Sequence, residues 1–315
     1  MKRLNKASPA RWLLVASAAL LCGCGGDDEA VGSSDVTSAS ADATSGAGVD
    51  TVEQDTAPAV PSPPAPVSYS GGGECPKLVA GDNVMWSWGL DRKFNLYLPA
   101  EPKGAPLLFL WHGLGDNKEN FSAAMNAKAI SGALGAVVVV PQGGVKVSGW
   151  GWSNPTDATE DAALFDDLLS CLDAQYDIDN RRVWTMGFSS GALWSSWLAM
   201  YRSTYLAAVV AWSGGTGTNS NKYKTPKRQV PVLLAWGGSQ DQVAINFEQA
   251  SKQMGAKLKA DGHFVVLCNH NKGHTIPGKG LTWGLDFLQR HSWGDPPGQF
   301  DKAALDLYPG YCEFP

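Results

Sequence analysis

Arg182-Val183-Trp184-Thr185-Met186-Gly187-Phe188-Ser189-Ser190-Gly191-Ala192-Leu193-Trp194-Ser195-Ser196-Trp197-Leu198-Ala199-Met200 decides the fold. The run from Arg182 to Met186 predicts a buried strand, and the run from Ala192 to Met200 predicts a helix. Between them stands the chain's only G-x-S-x-G, Gly187 to Gly191. Strand, sharp turn and helix are the context that makes this motif a nucleophile elbow. Side chains at the two glycine positions would clash in so tight a turn. The turn would hold the Ser189 hydroxyl above the sheet edge. It would also aim the Ser190 N–H and a helix N-terminus at the spot where an oxyanion could sit.

Outward from the elbow, strands and helices alternate. Asn83–Trp88 and Arg92–Leu98 predict a first hairpin around Gly89-Leu90-Asp91. Leu107–Trp111, Val137–Val140, Leu206–Trp212, Val230–Trp236 and His263–Leu267 are apolar runs of strand length. Helices are expected at about Asn117–Ser131, Thr159–Gln175, Phe247–Ala260 and Leu281–Arg290. Fully apolar strands alternating with helices predict an α/β fold, a mostly parallel central sheet with helices on both faces. Only 17 residues, 213–229, separate Trp212 from Val230. That is too short for a folded lid, so an open cleft is expected.

A serine hydroxyl needs a base, and the base needs an orienting acid. In this fold the chain order is serine, acid, histidine, the last two on loops beyond later strands. Asp241, in Gly237-Gly238-Ser239-Gln240-Asp241, and His274, in Lys272-Gly273-His274-Thr275, fit that order. All five histidines fall within the expected catalytic domain, 74–315. His112 precedes the elbow and suits loop support; His263 and His291 read as surface or packing residues. His270, at a strand end, competes with His274, which has a glycine before it and a longer loop to fold back over the serine. Asp241 is preferred to Asp261, at a helix end. The oxyanion donors are expected to be the N–H groups of Ser190 and of Leu114 in His112-Gly113-Leu114-Gly115, with Gly113 as the alternative to Leu114.

Lys2, Arg3, Lys6 and Arg11 precede a short apolar stretch, Trp12–Leu21, which reads as a targeting segment rather than a membrane span. Leu21-Cys22-Gly23-Cys24 resembles a bacterial lipobox, which implies cleavage before Cys24 and lipidation of it; an ordinary secretory signal is the alternative. The expected organisation is a signal peptide at 1–23, a low-complexity tether at 24–73 and a catalytic domain at 74–315. The tether is poor in large apolar residues and ends in Pro-Ser-Pro-Pro-Ala-Pro at 61–66. Without residues 1–23 the chain carries 21 Lys and Arg against 30 Asp and Glu. That balance argues against a nucleic-acid partner. Cys75, Cys171, Cys268 and Cys312 lack metal-site spacing, so two disulfides are expected, in any of three pairings. No metal and no cofactor is expected, and a monomer is.

Trp111-His112-Gly113-Leu114-Gly115, Pro141-Gln142-Gly143, Glu160-Asp161 before an apolar helix, Tyr176–Val183 and the elbow occur in an order that resembles one group of α/β-hydrolases. These are the secreted polyhydroxybutyrate depolymerase-like esterases, which include feruloyl and acetylxylan esterases. The resemblance covers about residues 90–290. It implies hydrolysis of carboxylic esters, matches Asp241 and His274 to the family's acid and base, and points to a polymeric ester substrate. Peptidase or lactone hydrolase activity, or a binding role without catalysis, are the alternatives. Intact Ser189, Asp241 and His274 speak against the last. Trp150, Trp152 and Trp212 are candidates to stack on a sugar or an aromatic acyl group.

Overall fold

In the first hairpin, β1 (Gly81–Ser87) buries every second residue of its second half, as a strand with one open face should. The computed structural model describes residues 62–144, 152, 159–217, 221–298 and 300–315. Trp88 and Gly89 form the two-residue turn into β2 (Leu90–Tyr97), both with positive φ, 52° and 77°. β3 (Leu107–Trp111) is buried at every position. α1 (Lys118–Met125) follows, N-capped by the Asn117 side chain, and Asn126 in left-handed conformation separates it from α2 (Ala127–Leu134). The single helix expected at 117–131 is therefore two, because the αL residue ends one helix and starts the next. β4 (Val137–Pro141), α3 (Thr159–Tyr176), β5 (Val183–Phe188), α4 (Ser190–Tyr201), β6 (Ala208–Trp212) and β7 (Val232–Trp236) continue the alternation. A small hairpin, β8 (Gln242–Val243) and β9 (Ile245–Asn246), leads into α5 (Phe247–Ala260). β10 (Val265–Asn269), α6 (Gly280–Gln289), α7 (Lys302–Leu305) and β11 (Cys312–Glu313) complete the chain.

The main sheet has nine strands in the order β1-β2-β4-β3-β5-β6-β7-β10-β11. β4, β3, β5, β6, β7 and β10 are parallel, while β1, β2 and β11 join antiparallel. Alternate residues of the buried strands feed two cores. Leu107, Phe109 and Trp111 face one core with Leu168 of α3, Leu198 of α4 and Leu258 of α5. Leu108 and Leu110 face the other with Phe121 of α1, Ile130 of α2 and Phe287 of α6. Helices thus cover both faces, as expected for an α/β-hydrolase fold. The chain leaves β3 toward β4 and leaves β5 toward β6. Strand order therefore reverses between β3 and β5, and that crevice at the carboxyl ends of the strands is where such sheets bind ligands.

Two disulfides form, Cys75–Cys171 and Cys268–Cys312, which resolves the pairing left open by the sequence. The first ties the chain before β1 to α3; the second joins register partners on β10 and β11. Ser70 donates to both oxygens of Asp167 through its N–H and its hydroxyl, each at 2.7 Å, so chain before residue 74 already docks on α3. No helix among the described residues is long and apolar enough to cross a membrane. Cys24 and the proposed signal lie outside the described residues, as does Trp150.

Candidate active site

Ser189 follows β5 at φ 57°, ψ −120°, a conformation rare for a residue with a side chain. Its neighbours hold it there. The Ser189 N–H donates to the Trp212 carbonyl at 2.9 Å, and its own carbonyl accepts from the N–H groups of Ala192 and Leu193 at 2.9 Å. A Cβ on Gly191 would lie 2.1 Å from the Trp111 carbonyl oxygen, and one on Gly187 would lie 2.3 Å from the Gly191 carbonyl oxygen. No side chain fits at either place.

The Ser189 hydroxyl lies 2.9 Å from His274 Nε2, and His274 Nδ1 lies 2.6 Å from Asp241 Oδ1. An ionised carboxylate only accepts, so Nδ1–H donates to it and Nε2 is left to accept from the serine. The imidazole is sandwiched between Phe188 and Phe247, each 4.8 Å away between ring centroids. Asp241 is buried. Its other oxygen accepts from the Ser213 hydroxyl and the Gly237 N–H, both at 2.8 Å. The acid and base loops touch through glycine: the Gly273 N–H donates to the Gly237 carbonyl at 2.9 Å, and a Cβ on Gly237 would lie 1.8 Å from the Gly273 carbonyl oxygen. His270 is buried behind this loop, 6.4 Å from the Tyr311 ring, and Nδ1 accepts from the Lys272 N–H. Burial holds its pKa below the ordinary imidazole value. The structure thus brings Ser189, Asp241 and His274 together and leaves His270 apart.

A cavity of about 310 Å³ opens over Ser189, lined by Gly113, Leu114, Ser190 and the apolar side chains of Phe188, Leu193, Val243 and Phe247 among others. Leu114 and Ser190, the expected oxyanion residues, flank the serine from β3 and α4. His112 braces the first of these. Its Nδ1–H donates to the Gly113 carbonyl at 2.8 Å, and Nε2 accepts from the Gly143 N–H at 3.0 Å. Burial keeps its pKa low, so it stays neutral and keeps both bonds.

Two of the three tryptophans expected at the substrate are found elsewhere. Trp212 is fully buried and packs against α6, where a Cβ on Gly284 would lie 3.0 Å from its ring. Trp152 is buried behind the β3 loop, donating to the His112 carbonyl at 2.8 Å and edge-on to Trp111. Neither lines the cavity. Phe188, Phe247 and Ser213, which do shape the site, carry no signal of their own in the sequence. Phe188 is a variable position of the elbow motif, and Ser213 is set apart by a left-handed φ of 55°, which is a property of the fold and not of the sequence.

Residues 87–252, more than half of the chain, match the profile of the Esterase family, described as "Putative esterase". The chain belongs to the Esterase family. This Esterase-family chain is 25% identical over 162 residues to a bifunctional acetylxylan esterase/xylanase of Neocallimastix patriciarum, covering 51% of this chain and 23% of that protein. It is 29% identical over 171 residues to feruloyl esterase D of Neurospora crassa, covering 50% of this chain and 57% of that one. An oxidized polyvinyl alcohol hydrolase of a Pseudomonas species is 24% identical over 198 residues, covering 49% and 52%. The chain thus spans between about a quarter and somewhat over half the length of these curated relatives. Among solved structures, native pOPH superposes with a TM-score of 0.62 at 20% identity, covering 76% of this chain and 97% of that one. A ferulic acid esterase superposes with a TM-score of 0.53 at 15% identity, covering 66% and 96%. These likenesses show the α/β-hydrolase fold.

Proposed function

We propose that this Esterase-family chain is a serine-dependent carboxylic ester hydrolase, with Ser189 as nucleophile, His274 as general base and acid, and Asp241 as the orienting acid. The observation that carries the reading is the unbroken run of hydrogen bonds from Ser189 Oγ through His274 to Asp241, at 2.9 and 2.6 Å, on an elbow that admits no other backbone.

The steps follow from the geometry. Ser189 Oγ attacks the ester carbonyl carbon as His274 Nε2 takes its proton, and the buried Asp241 stabilises the imidazolium. The carbonyl oxygen becomes an oxyanion held by the N–H of Ser190, at the N-terminus of α4, and the N–H of Leu114, beyond β3. Collapse breaks the bond to the alcohol oxygen, which leaves with the His274 proton, and the acyl group stays on Ser189. Water then attacks with His274 again as base, releasing the carboxylic acid and restoring the serine. The acyl group is proposed to lie among Phe188, Leu193, Val243 and Phe247, a volume suited to a short or single-ring acyl chain.

The substrate is proposed to be an ester borne by a polymer, such as feruloyl or acetyl groups on polysaccharide or a polyhydroxybutyrate chain. Export with a lipid anchor at Cys24 completes the reading, supported by the lipobox-like Leu21–Cys24 and by two disulfides that an oxidising compartment preserves. The test is hydrolysis of 4-nitrophenyl acetate and butyrate by the full-length chain and by Ser189→Ala. Turnover lost in the variant supports the assignment. No turnover by the folded wild type, or turnover retained in the variant, overturns it.

A further inference from the structure

The carboxyl edge of the sheet does not end at the catalytic cavity. Gly143, whose N–H braces His112, also lines a second cavity of about 380 Å³ with Asp91, Lys93, Gln142 and Glu160. Successive strands carry the two cavities along one edge: Ser189 follows β5, Gly113 follows β3, Gln142 and Gly143 follow β4, and Asp91 and Lys93 lie on β2. β2 runs antiparallel to β4, with Phe94 opposite Pro141, so the β1–β2 turn projects beyond that same edge.

The turn is chemically unusual. Its two residues have the positive φ values of a type I′ turn, for which Asn-Gly is favoured. Here the first is Trp88, a bulky side chain in a strained conformation, and it is 53% exposed. Trp86, 51% exposed, is on the open face of β1 opposite Asp91, and Val84 on that face is opposite Lys93. The Tyr69 hydroxyl fixes the strand from behind by donating to the Trp86 carbonyl at 2.6 Å. Two large rings are therefore held out at the tip of a braced hairpin, beside a polar cavity and in line with the nucleophile. Strands lie roughly 4.8 Å apart, so the four steps from β5 to β1 span about 19 Å.

We infer that this edge is a docking strip for a neutral polysaccharide chain, with Trp86 and Trp88 stacking on sugar rings and the Asp91–Glu160 cavity binding their hydroxyls, so that the attached ester reaches Ser189. This rests on the esterase reading above and narrows its substrate. The donor set chooses between polymers. Of the cavity's charged groups, the Arg92 guanidinium is buried and engaged by Asp161 and the Glu160 carbonyl, which leaves the Asp91 and Glu160 carboxylates as acceptors open to a ligand's donors. Sugar hydroxyls donate and accept, matching the carboxylates as well as Lys93 and Gln142. A polyester backbone only accepts and offers neither carboxylate a donor. The flat faces of indole rings bury the apolar C–H faces of sugars.

The experiment compares the full-length wild type with Trp86→Thr/Trp88→Asn, chosen because Thr suits a strand and Asn suits the αL turn position. Three readouts are taken: kcat/KM on 4-nitrophenyl acetate, kcat/KM on acetylated xylan, and retardation in native gels containing deacetylated xylan. A cooperative thermal transition with its midpoint above the assay temperature certifies the variant's fold. The expected result is nitrophenyl ester hydrolysis within twofold of wild type, a loss of tenfold or more on acetylated xylan carried by KM, and loss of gel retardation. Asp91→Asn/Glu160→Gln is expected to shift the same two polymer readouts and spare the small ester. Unchanged polymer activity in a folded variant overturns the strip while the esterase reading stands. Wild type that is not retarded by xylan, or that instead binds polyhydroxybutyrate particles through the two tryptophans, also overturns it. Retardation lost in the variant supports the strip even if no ester is turned over, an outcome that would sink the esterase reading alone.

Discussion

Ser213 Oγ donates to Asp241 Oδ2 at 2.8 Å from a residue held at φ 55° and fully buried. With the Gly237 N–H on the same oxygen, it turns the carboxylate so that Oδ1 alone faces His274. Ser213→Ala is expected to lower kcat about tenfold with KM nearly unchanged, the loss of one hydrogen bond to a charged group at about 1.5 kcal/mol. Steady-state kinetics check this. An equal rise in KM would make Ser213 a binding rather than a positioning residue.

The proposed triad predicts a steep and selective pattern. Ser189→Ala and His274→Ala are each expected to cost roughly 10⁴-fold or more in kcat on a nitrophenyl ester, the range seen in other serine triads. His270→Ala is expected to keep kcat within about threefold after correction for folded protein. Activity retained in His274→Ala and lost in His270→Ala would exchange their roles.

Two elbow glycines are predicted to be indispensable to folding as well as to chemistry. Gly191→Ala sets a methyl 2.1 Å from the Trp111 carbonyl oxygen, against backbone that cannot yield. It is expected to destabilise by more than about 4 kcal/mol, which places it in the exceptional tail of single substitutions. Soluble yield and thermal melting read the outcome; a variant that melts like wild type would mean that β3 can move away from β5.

Acid stability is set partly by a histidine far from the chemistry. His291 is buried at the end of α6, its Nδ1–H donating to the Phe287 carbonyl at 2.7 Å, and burial lowers its pKa to about 4. The folded protein therefore binds that proton less readily than the unfolded chain, and stability is lost as pH falls from the ordinary value near 6.5 toward 4. Between pH 7.5 and 4.5 this one group accounts for about 2–3 kcal/mol. Urea titrations at the two pH values should show His291→Gln losing less than the wild type by that amount. An identical loss in both would assign the acid sensitivity to other groups.

Much of this was legible in the sequence because the decisive signals were local. The elbow needs only five residues and their flanks, and the buried strands announce themselves as apolar runs. Asp241 and His274 follow from chain order and loop position. What was not legible depends on distant packing. Asn126 breaks a helix by adopting αL, a conformation Asn tolerates but does not enforce. Trp212 and Trp152 have the composition of a sugar platform, yet α6 and the β3 loop close over them. Phe188 and Phe247, 59 positions apart, meet only across His274. β11 is two residues long and exists as a strand through its pairing with β10.

A sheet comes apart from its borders, where the outermost strands have neighbours on one side only. In this protein both borders are clasped: Cys75–Cys171 pins the lead-in to β1 onto α3, and Cys268–Cys312 rivets β11 to β10. A covalent tie thus opposes fraying at each margin, and β5, which leads into the proposed nucleophile Ser189, lies between the two. Reduction of the two bonds is therefore expected to shorten the protein's active lifetime on heating, by releasing the margins first.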